Sequence, residues 1–171
     1  MSTPHEKLIR TKFALPLGEV HALVGGAVSA RPLLFLHGFP DHPPTAVPFL
    51  EHLAETHRVV APWLRGYAPS PIVGPYDLDT LAADALALID RLGGQVDLVG
   101  HDWGGEITYT VCAAAPSHVR RTCVARSRSR FRTRPPSYAR SPTRSSGRRA
   151  GTWACSSSQE RTISCADASS R

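Results

Sequence analysis

The sequence predicts an α/β fold with a mostly parallel sheet and helices on both faces. Three observations predict it: short apolar runs that end in glycine, amphipathic segments between them, and their regular alternation over the first 125 residues. Buried parallel strands are continuous apolar runs, whereas surface helices repeat their apolar residues every three or four positions. The composition agrees, since 42% hydrophobic and 20% charged residues are typical of a globular chain.

The first two predicted strands form a hairpin. Residues 7–24 contain two runs, KLIRTKFAL and EVHALVG, joined around Pro16 and Gly18. The next strand, at 32–38, is the apolar run PLLFLHG, which is typical of a strand buried on both faces. A sheet that begins antiparallel and continues with buried strands is therefore expected.

A helix, a further strand and a second helix come next. Residues 45–56 can form a helix with Pro48 in its first turn, where the missing amide is tolerated. RVVAPWLRG at 58–66 is predicted to be a strand that leads into a loop rich in glycine and proline. Asp79 is predicted to cap the second helix, which has one apolar face and closes at a glycine pair.

The last predicted elements surround a sharp turn. VDLVGHD at 96–102 is a predicted strand, and a helix from 104 to 115 follows it. RRTCVA at 120–125 begins one more strand, which would be an exposed edge prone to aggregation. Ligands of such sheets bind beyond the carboxyl ends of the strands. Three strand ends stand out there: HGFP at 37–40, RGY at 65–67 and HDW at 101–103.

GHDWGG at 100–105 has the G-x-nucleophile-x-G form of a nucleophile elbow, with aspartate in the middle at Asp102. Glycines two residues to either side let the strand and the helix approach without Cβ clashes. The helix N-terminus favours the negative charge of a carboxylate. A carboxylate needs no base to attack an sp³ carbon, so the motif predicts an alkyl–enzyme ester. The alternative is that Asp102 only caps the following helix.

Two further motifs, HGFPDH at 37–42 and LRGYAPS at 64–70, precede GHDWGG in an order and spacing shared with a known family. On these three motifs the chain resembles the α/β-hydrolase superfamily, in particular its epoxide hydrolase and haloalkane dehalogenase branch. The resemblance covers about residues 7–125. It implies the N-terminal part of the α/β-hydrolase fold.

The resemblance also implies site residues. Asp102 would be the nucleophile, and the backbone N–H groups of Phe39 and Trp103 would form the oxyanion hole used when the ester is hydrolysed. The Trp103 indole would line the substrate pocket. The chain departs from the family at Trp63, where aspartate is common, so we expect the loop there to be altered.

The family needs two further catalytic residues, an acid and a late histidine that activates water, and a helical cap with tyrosines. All eight histidines lie at or before His118. Beyond it, Glu160 and Asp167 belong to no recognisable motif, and Tyr138 cannot be assigned to a cap. The resemblance therefore implies that an ester on Asp102 would not turn over, and we expect an incomplete, inactive chain.

Other polar residues near the motifs have simpler interpretations. His37 and His101 are expected to brace the turns beside them rather than to act as bases. Asp41 and His42 are expected in a solvated loop, and His118 in an exposed turn.

The charge divides the chain into two predicted domains. Residues 1–125 contain 9 Lys and Arg against 12 Asp and Glu, whereas residues 126–171 contain 11 Arg, 12 Ser and 2 acids. The second segment has too few apolar side chains to offset the entropy of ordering, so it is predicted to be a disordered basic tail. Its abrupt start after Ala125 favours the hypothesis of a shifted reading frame. The alternative is a non-catalytic protein whose tail binds nucleic acid with steep salt dependence.

The leading functional hypothesis is a hydrolase of epoxide-hydrolase type that acts on a small apolar epoxide or halide. A haloalkane or haloacid dehalogenase, or a general α/β-hydrolase, remains the alternative among enzymes. No cofactor and no metal is expected, because the four cysteines form no C-x-x-C pair and no dinucleotide-binding motif occurs. No specific nucleic-acid partner is expected, because Tyr138 and Trp153 do not interleave with the arginines as a stacking platform would. No apolar run has membrane-spanning length and no signal peptide opens the chain, so a cytoplasmic location without membrane contact is expected.

Overall fold

The computed structural model describes residues 8–16 and 18–125. The described residues form six strands and three helices. After the first two strands, strands and helices alternate along the chain, as the sequence predicts. Short 3-10 turns precede the first helix and the last strand. The strands are β1 (Ile9–Leu15), β2 (Gly18–Gly25), β3 (Arg31–Leu36), β4 (His57–Pro62), β5 (Val96–His101) and β6 (Val119–Ala125), and the helices are α1 (Val47–Ala54), α2 (Leu78–Arg91) and α3 (Trp103–Ala114).

The described strands form one mixed sheet in the order β1-β2-β4-β3-β5-β6. The β1–β2 and β2–β4 pairs are antiparallel, and the β4–β3, β3–β5 and β5–β6 pairs are parallel. Leu36 of β3 is in register with Gly100 of β5, so the carboxyl ends of the two strands meet at one edge. The predicted α/β fold is therefore confirmed for the described part of the chain.

The two faces of the sheet are covered unequally. Leu34, Leu36 and Leu98 are fully buried and belong to the large cluster formed with α2 and α3. Leu33 and Phe35 point to the opposite face, where α1 is the helix that packs among the described residues. Alternating residues of a strand point to opposite faces, so each central strand contributes to both clusters.

The predicted helix cap was placed two residues too late. Asp77, not Asp79, is the N-cap of α2, since its carboxylate accepts hydrogen bonds from the backbone N–H of Thr80 at 2.9 Å and from the Thr80 hydroxyl at 3.0 Å. A capping side chain reaches the N–H two or three residues ahead, and Asp79 already lies within the first turn. The sequence D-L-D-T offers two aspartates, and the geometry selects the first.

The strand predicted at 58–66 ends earlier, at Pro62. The following residues form a tight turn, in which the Tyr67 amide donates to the carbonyl of Leu64 at 3.0 Å. Pro48 lies in the first turn of α1, as predicted. The sequence therefore predicts these helices and strands correctly, and the differences from the structure are at the ends of the elements.

β6 lies at the edge of the sheet formed by the described strands, with β5 as its neighbour. Aggregation through this edge stays a prediction. The predicted tail at 126–171, with Tyr138, Glu160 and Asp167, lies outside the described residues. Within 8–16 and 18–125, no helix is long and apolar enough to cross a membrane.

Candidate active site

Asp102 occupies the turn between β5 and α3 in a backbone conformation that side chains rarely adopt. Its φ is 52° and its ψ is −113°, and no other described non-glycine residue has a positive φ. Such a conformation costs on the order of 1–3 kcal/mol and persists only where the surrounding structure imposes it. The Asp102 side chain makes no capping hydrogen bond to α3, so the simple capping role considered from the sequence is not what the structure shows.

Close backbone packing imposes the turn. A Cβ atom at Gly104 would lie 2.0 Å from the carbonyl oxygen of Leu36, and one at Gly100 would lie 2.3 Å from the carbonyl oxygen of Gly104. Both distances are far below contact, so only glycine lets α3 start this close to the ends of β3 and β5. The Asp102 amide also donates to the carbonyl of Ala125 at 3.2 Å, which ties the turn to β6.

The loop after β3 meets the Asp102 carboxylate. The backbone N–H of Phe39 donates to Oδ2 of Asp102 at 3.1 Å. Trp103 follows Asp102 directly and is the first residue of α3. The structure thus brings Phe39, Asp102 and Trp103 together at the carboxyl edge, and the Phe39 and Trp103 side chains are 68% and 51% exposed.

His37 is buried behind this loop. Its Nδ1 lies 2.9 Å from the carbonyl oxygen of Gly38, and its Nε2 lies 3.1 Å from the backbone nitrogen of Leu64. With 1% of its surface exposed, burial lowers the pKa of His37. His37 therefore braces two loops, in agreement with the sequence-based expectation.

Tyr67 lies at one of the three strand ends that the sequence marks, but the sequence assigns it no role. Its ring packs edge-on against His37, with centroids 4.6 Å apart and planes at 84°. Burial raises the pKa of Tyr67, and the negative charges of Asp102 and Asp41 raise it further, so the phenol stays protonated at neutral pH. Its place in the loop after β4, at the carboxyl edge, was the available signal.

A second feature of this edge is an open cleft of about 310 Å³ on the α1 face. Its walls are largely apolar, with Phe35, Phe49 and Val99 among them. His101 lies at its polar end, where Nδ1 is 3.5 Å from Oδ2 of Asp41. Asp102 does not line this cleft, which therefore lies beside the carboxylate rather than around it.

Three further positions named from the sequence are Trp63, His42 and His118. Trp63 is buried at 3% exposure, and the guanidinium of Arg10 lies 4.7 Å from the centre of its ring. His42 is exposed. His118 is half-buried, not fully exposed, and its Nε2 is 3.3 Å from Oδ1 of Asp90. No group of three or more His, Cys, Asp or Glu side chains in the described residues is arranged to hold a metal ion.

Comparison with known proteins identifies the family to which the fold belongs. Residues 31–140 match the family model of the alpha/beta hydrolase fold. The chain is 34% identical over 108 residues to Epoxide hydrolase 4 of Mus musculus, covering 61% of this chain and 30% of that protein. It is 31% identical over 102 residues to Lipase LipV of Mycobacterium tuberculosis, covering 59% of this chain and 39% of that protein.

A solved structure described as a novel epoxide hydrolase from metagenomes of hot environments superposes with a TM-score of 0.65. It shares 34% identity, and the superposition covers 70% of this chain and 42% of that one. The chain thus spans about a third of the length of the curated relatives named above. Because the family model covers more than half of the sequence, the chain belongs to the α/β hydrolase fold family of enzymes.

Proposed function

We propose that the chain carries the nucleophilic part of an epoxide hydrolase, with Asp102 as the attacking carboxylate. The observation that supports this most is the hydrogen bond from the Phe39 amide to Oδ2 of Asp102. It leaves Oδ1 as the oxygen that attacks a carbon of the epoxide ring. The C–O bond of the ring breaks, its electron pair goes to the ring oxygen, and that oxygen takes a proton from water.

The product of this step is an ester between Asp102 and the opened epoxide. Oδ2 becomes the carbonyl oxygen of the ester and keeps the Phe39 amide as its donor. The Trp103 amide is proposed as the second donor for the negative charge that would develop on this oxygen during hydrolysis. Apolar side chains beside the carboxylate, those of Phe39 and Trp103, suit a small apolar epoxide. The epoxide hydrolases among the similar proteins favour an epoxide over a halide.

We also propose that this ester accumulates. Hydrolysis needs a base that activates water near the ester. Among the described histidines at the carboxyl edge, His37 uses both ring nitrogens in hydrogen bonds, and His101 faces Asp41 in the neighbouring cleft. The described residues therefore support alkylation of Asp102, and neither His37 nor His101 is available to activate water for the second step.

The test uses styrene oxide and intact-mass spectrometry. The wild-type chain should gain one epoxide mass, and peptide mapping should place it on Asp102. Asp102→Asn removes the charged oxygen with little change of shape and should gain none. Asp90→Asn, which changes an exposed carboxylate on α2, is the matched control and should react like the wild type.

Two results would contradict the proposal. Equal labelling of the wild type and of Asp102→Asn would show that other side chains react. Steady release of diol would show that the ester does turn over. A chlorinated alkane tested in parallel distinguishes the dehalogenase alternative, since the same ester would then form with release of halide.

A further inference from the structure

The hydrogen bonds of His37 determine its charge. Nε2 lies 3.1 Å from the Leu64 nitrogen, and that backbone N–H can only donate. Nε2 must therefore accept and carry no proton. Nδ1 faces the Gly38 carbonyl at 2.9 Å and must donate, so the network assigns the neutral ring with its proton on Nδ1.

His37 joins two loops that both reach the candidate active site. Phe39, whose amide contacts Asp102, follows it by two residues. Leu64 belongs to the segment after β4, and the same segment places the Tyr67 ring edge-on against the imidazole. A hydrogen bond from the Tyr67 amide to the Leu64 carbonyl at 3.0 Å makes that segment one unit.

We propose that neutral His37 is a positioning residue, which holds the loop after β3 against the segment after β4 and so aims the Phe39 amide at Asp102. The functional part of this inference rests on the proposed nucleophilic role of Asp102. Protonation of His37 would place a second N–H against the Leu64 N–H, and two donors cannot bond to each other. Acid should therefore release the loop that carries the Phe39 amide.

The surroundings of His37 set the direction of this pH dependence. Burial is the largest influence and lowers the pKa of His37, the Gly38 carbonyl and the negative charge of Asp41 raise it, and nearby His42 lowers it. From the facing segment the protonated phenol of Tyr67 adds no charge. A base whose pKa is lowered by folding contributes stability above its unfolded pKa of about 6.5, and that contribution is lost as the pH falls.

Nuclear magnetic resonance tests the inference without any substrate. In the wild type at pH 7, the ring nitrogens of His37 should show the neutral form with the proton on Nδ1. As the pH falls below 6.5 and His37 becomes protonated, the amides of Leu64 and Phe39 should lose protection from hydrogen exchange together. The amide of Val60, in the buried strand β4, should stay protected and so exclude global unfolding.

His37→Asn separates the two hydrogen bonds. The Asn amide can replace the Nδ1 donor to Gly38 but does not reach Leu64. We expect Leu64 to be unprotected at every pH, Phe39 to be less protected, and the pH step to vanish. His52→Asn changes a 75% exposed histidine of α1 and is the matched control. In this variant the protection of Leu64, the protection of Phe39 and the pH step should all be unchanged.

Alkylation of Asp102 provides the functional measurement. His37→Asn should slow ester formation at pH 7.5 by about tenfold, because the Phe39 amide would no longer hold the carboxylate with Oδ1 directed at the substrate. An imidazolium form of His37 at pH 7 would overturn the inference. So would hydrogen-exchange protection of the Phe39 amide that changes neither with pH nor in His37→Asn. If the wild type forms no ester at all, the proposed function fails, and the resonance measurements still decide the role of His37.

Discussion

The backbone N–H of Phe39 donates to Oδ2 of Asp102 across 63 residues of sequence. The contact exists because β3 and β5 are neighbours in the sheet, with Leu36 in register with Gly100. Phe39, in the loop after β3, and Asp102, directly after β5, therefore lie at the same edge of the sheet. The hydrogen bond also makes the two carboxylate oxygens chemically different before any substrate arrives.

Gly104 should tolerate no side chain. Its Cβ would lie 2.0 Å from the Leu36 carbonyl oxygen, and backbone on both sides cannot yield without moving β3 or α3. We expect Gly104→Ala to lower the free energy of unfolding by about 3 kcal/mol, at the upper end of overpacking effects. Urea unfolding followed by circular dichroism measures this loss.

Gly105 provides the matched comparison for that substitution. Its Cβ would lie 2.7 Å from Cγ1 of Val124, a side-chain atom on the edge strand β6 that can rotate away. The gain in helix propensity from glycine to alanine, about 1 kcal/mol, should offset most of the remaining strain. Equal losses for Gly104→Ala and Gly105→Ala would contradict the assignment of the close contact to the backbone.

The two aspartates at the start of α2 should differ in their effect on stability. Asp77→Ala should lower the unfolding temperature more than Asp79→Ala, because only Asp77 bonds to the Thr80 amide. That backbone hydrogen bond also lowers the pKa of Asp77. The lowered pKa means that its stabilisation is complete above the unfolded pKa of about 3.9 and is lost as the pH falls through the folded value. Thermal unfolding from pH 7 to pH 2.5 should therefore show the difference between wild type and Asp77→Ala shrinking in acid.

Leu50 should be the residue of α1 on which the packing of that helix depends most. It is fully buried, and α1 packs on the less covered face of the sheet. Leu50→Ala should cost about 3 kcal/mol of unfolding free energy, since truncation of a buried leucine leaves a cavity. Leu53→Ala makes the same truncation at a half-buried position of the same helix and should cost clearly less. A larger loss at Leu53 in urea unfolding would show that α1 packs differently.

Arg65 and Asp84 should behave as a coupled pair. Nε and Nη2 of Arg65 lie 2.7 Å and 2.8 Å from the two carboxylate oxygens of Asp84, and the side chains are 12% and 19% exposed. Arg65→Ala leaves a largely buried carboxylate without its partner and should cost about 3 kcal/mol. Adding Asp84→Ala should recover part of that loss, and a double-mutant cycle measures the coupling. Strictly additive losses would show that the pair contributes nothing beyond its separate side chains.

The sequence predicts the fold well where periodicity is strong. The apolar run that becomes β3 and the spaced leucines of α2 are confirmed, because burial on one or both faces leaves a direct pattern in the residues. The helix cap was misplaced between Asp77 and Asp79 because both are good caps, and only the three-dimensional path of the backbone selects one.

The candidate site is predictable only in part. GHDWGG identifies the position of Asp102 because a strained turn requires particular residues at particular spacings. The contact of Tyr67 with His37 and the pairing of His101 with Asp41 depend on how loops from different strands converge. No local pattern in the sequence encodes such distances, so these contacts were not predicted.

The backbone of the elbow at Asp102 is held by neighbouring glycines and by β6, while its own side chain makes no capping bond to α3. The backbone conformation of the turn therefore does not depend on a capping bond from the side chain at position 102. A serine at position 102 should fold into the same turn, and the nucleophile would change from a carboxylate oxygen that becomes alkylated to a hydroxyl oxygen that becomes acylated. The chemistry of this fold can then change by substitution of one residue, because the backbone of the turn stays the same when its side chain is exchanged.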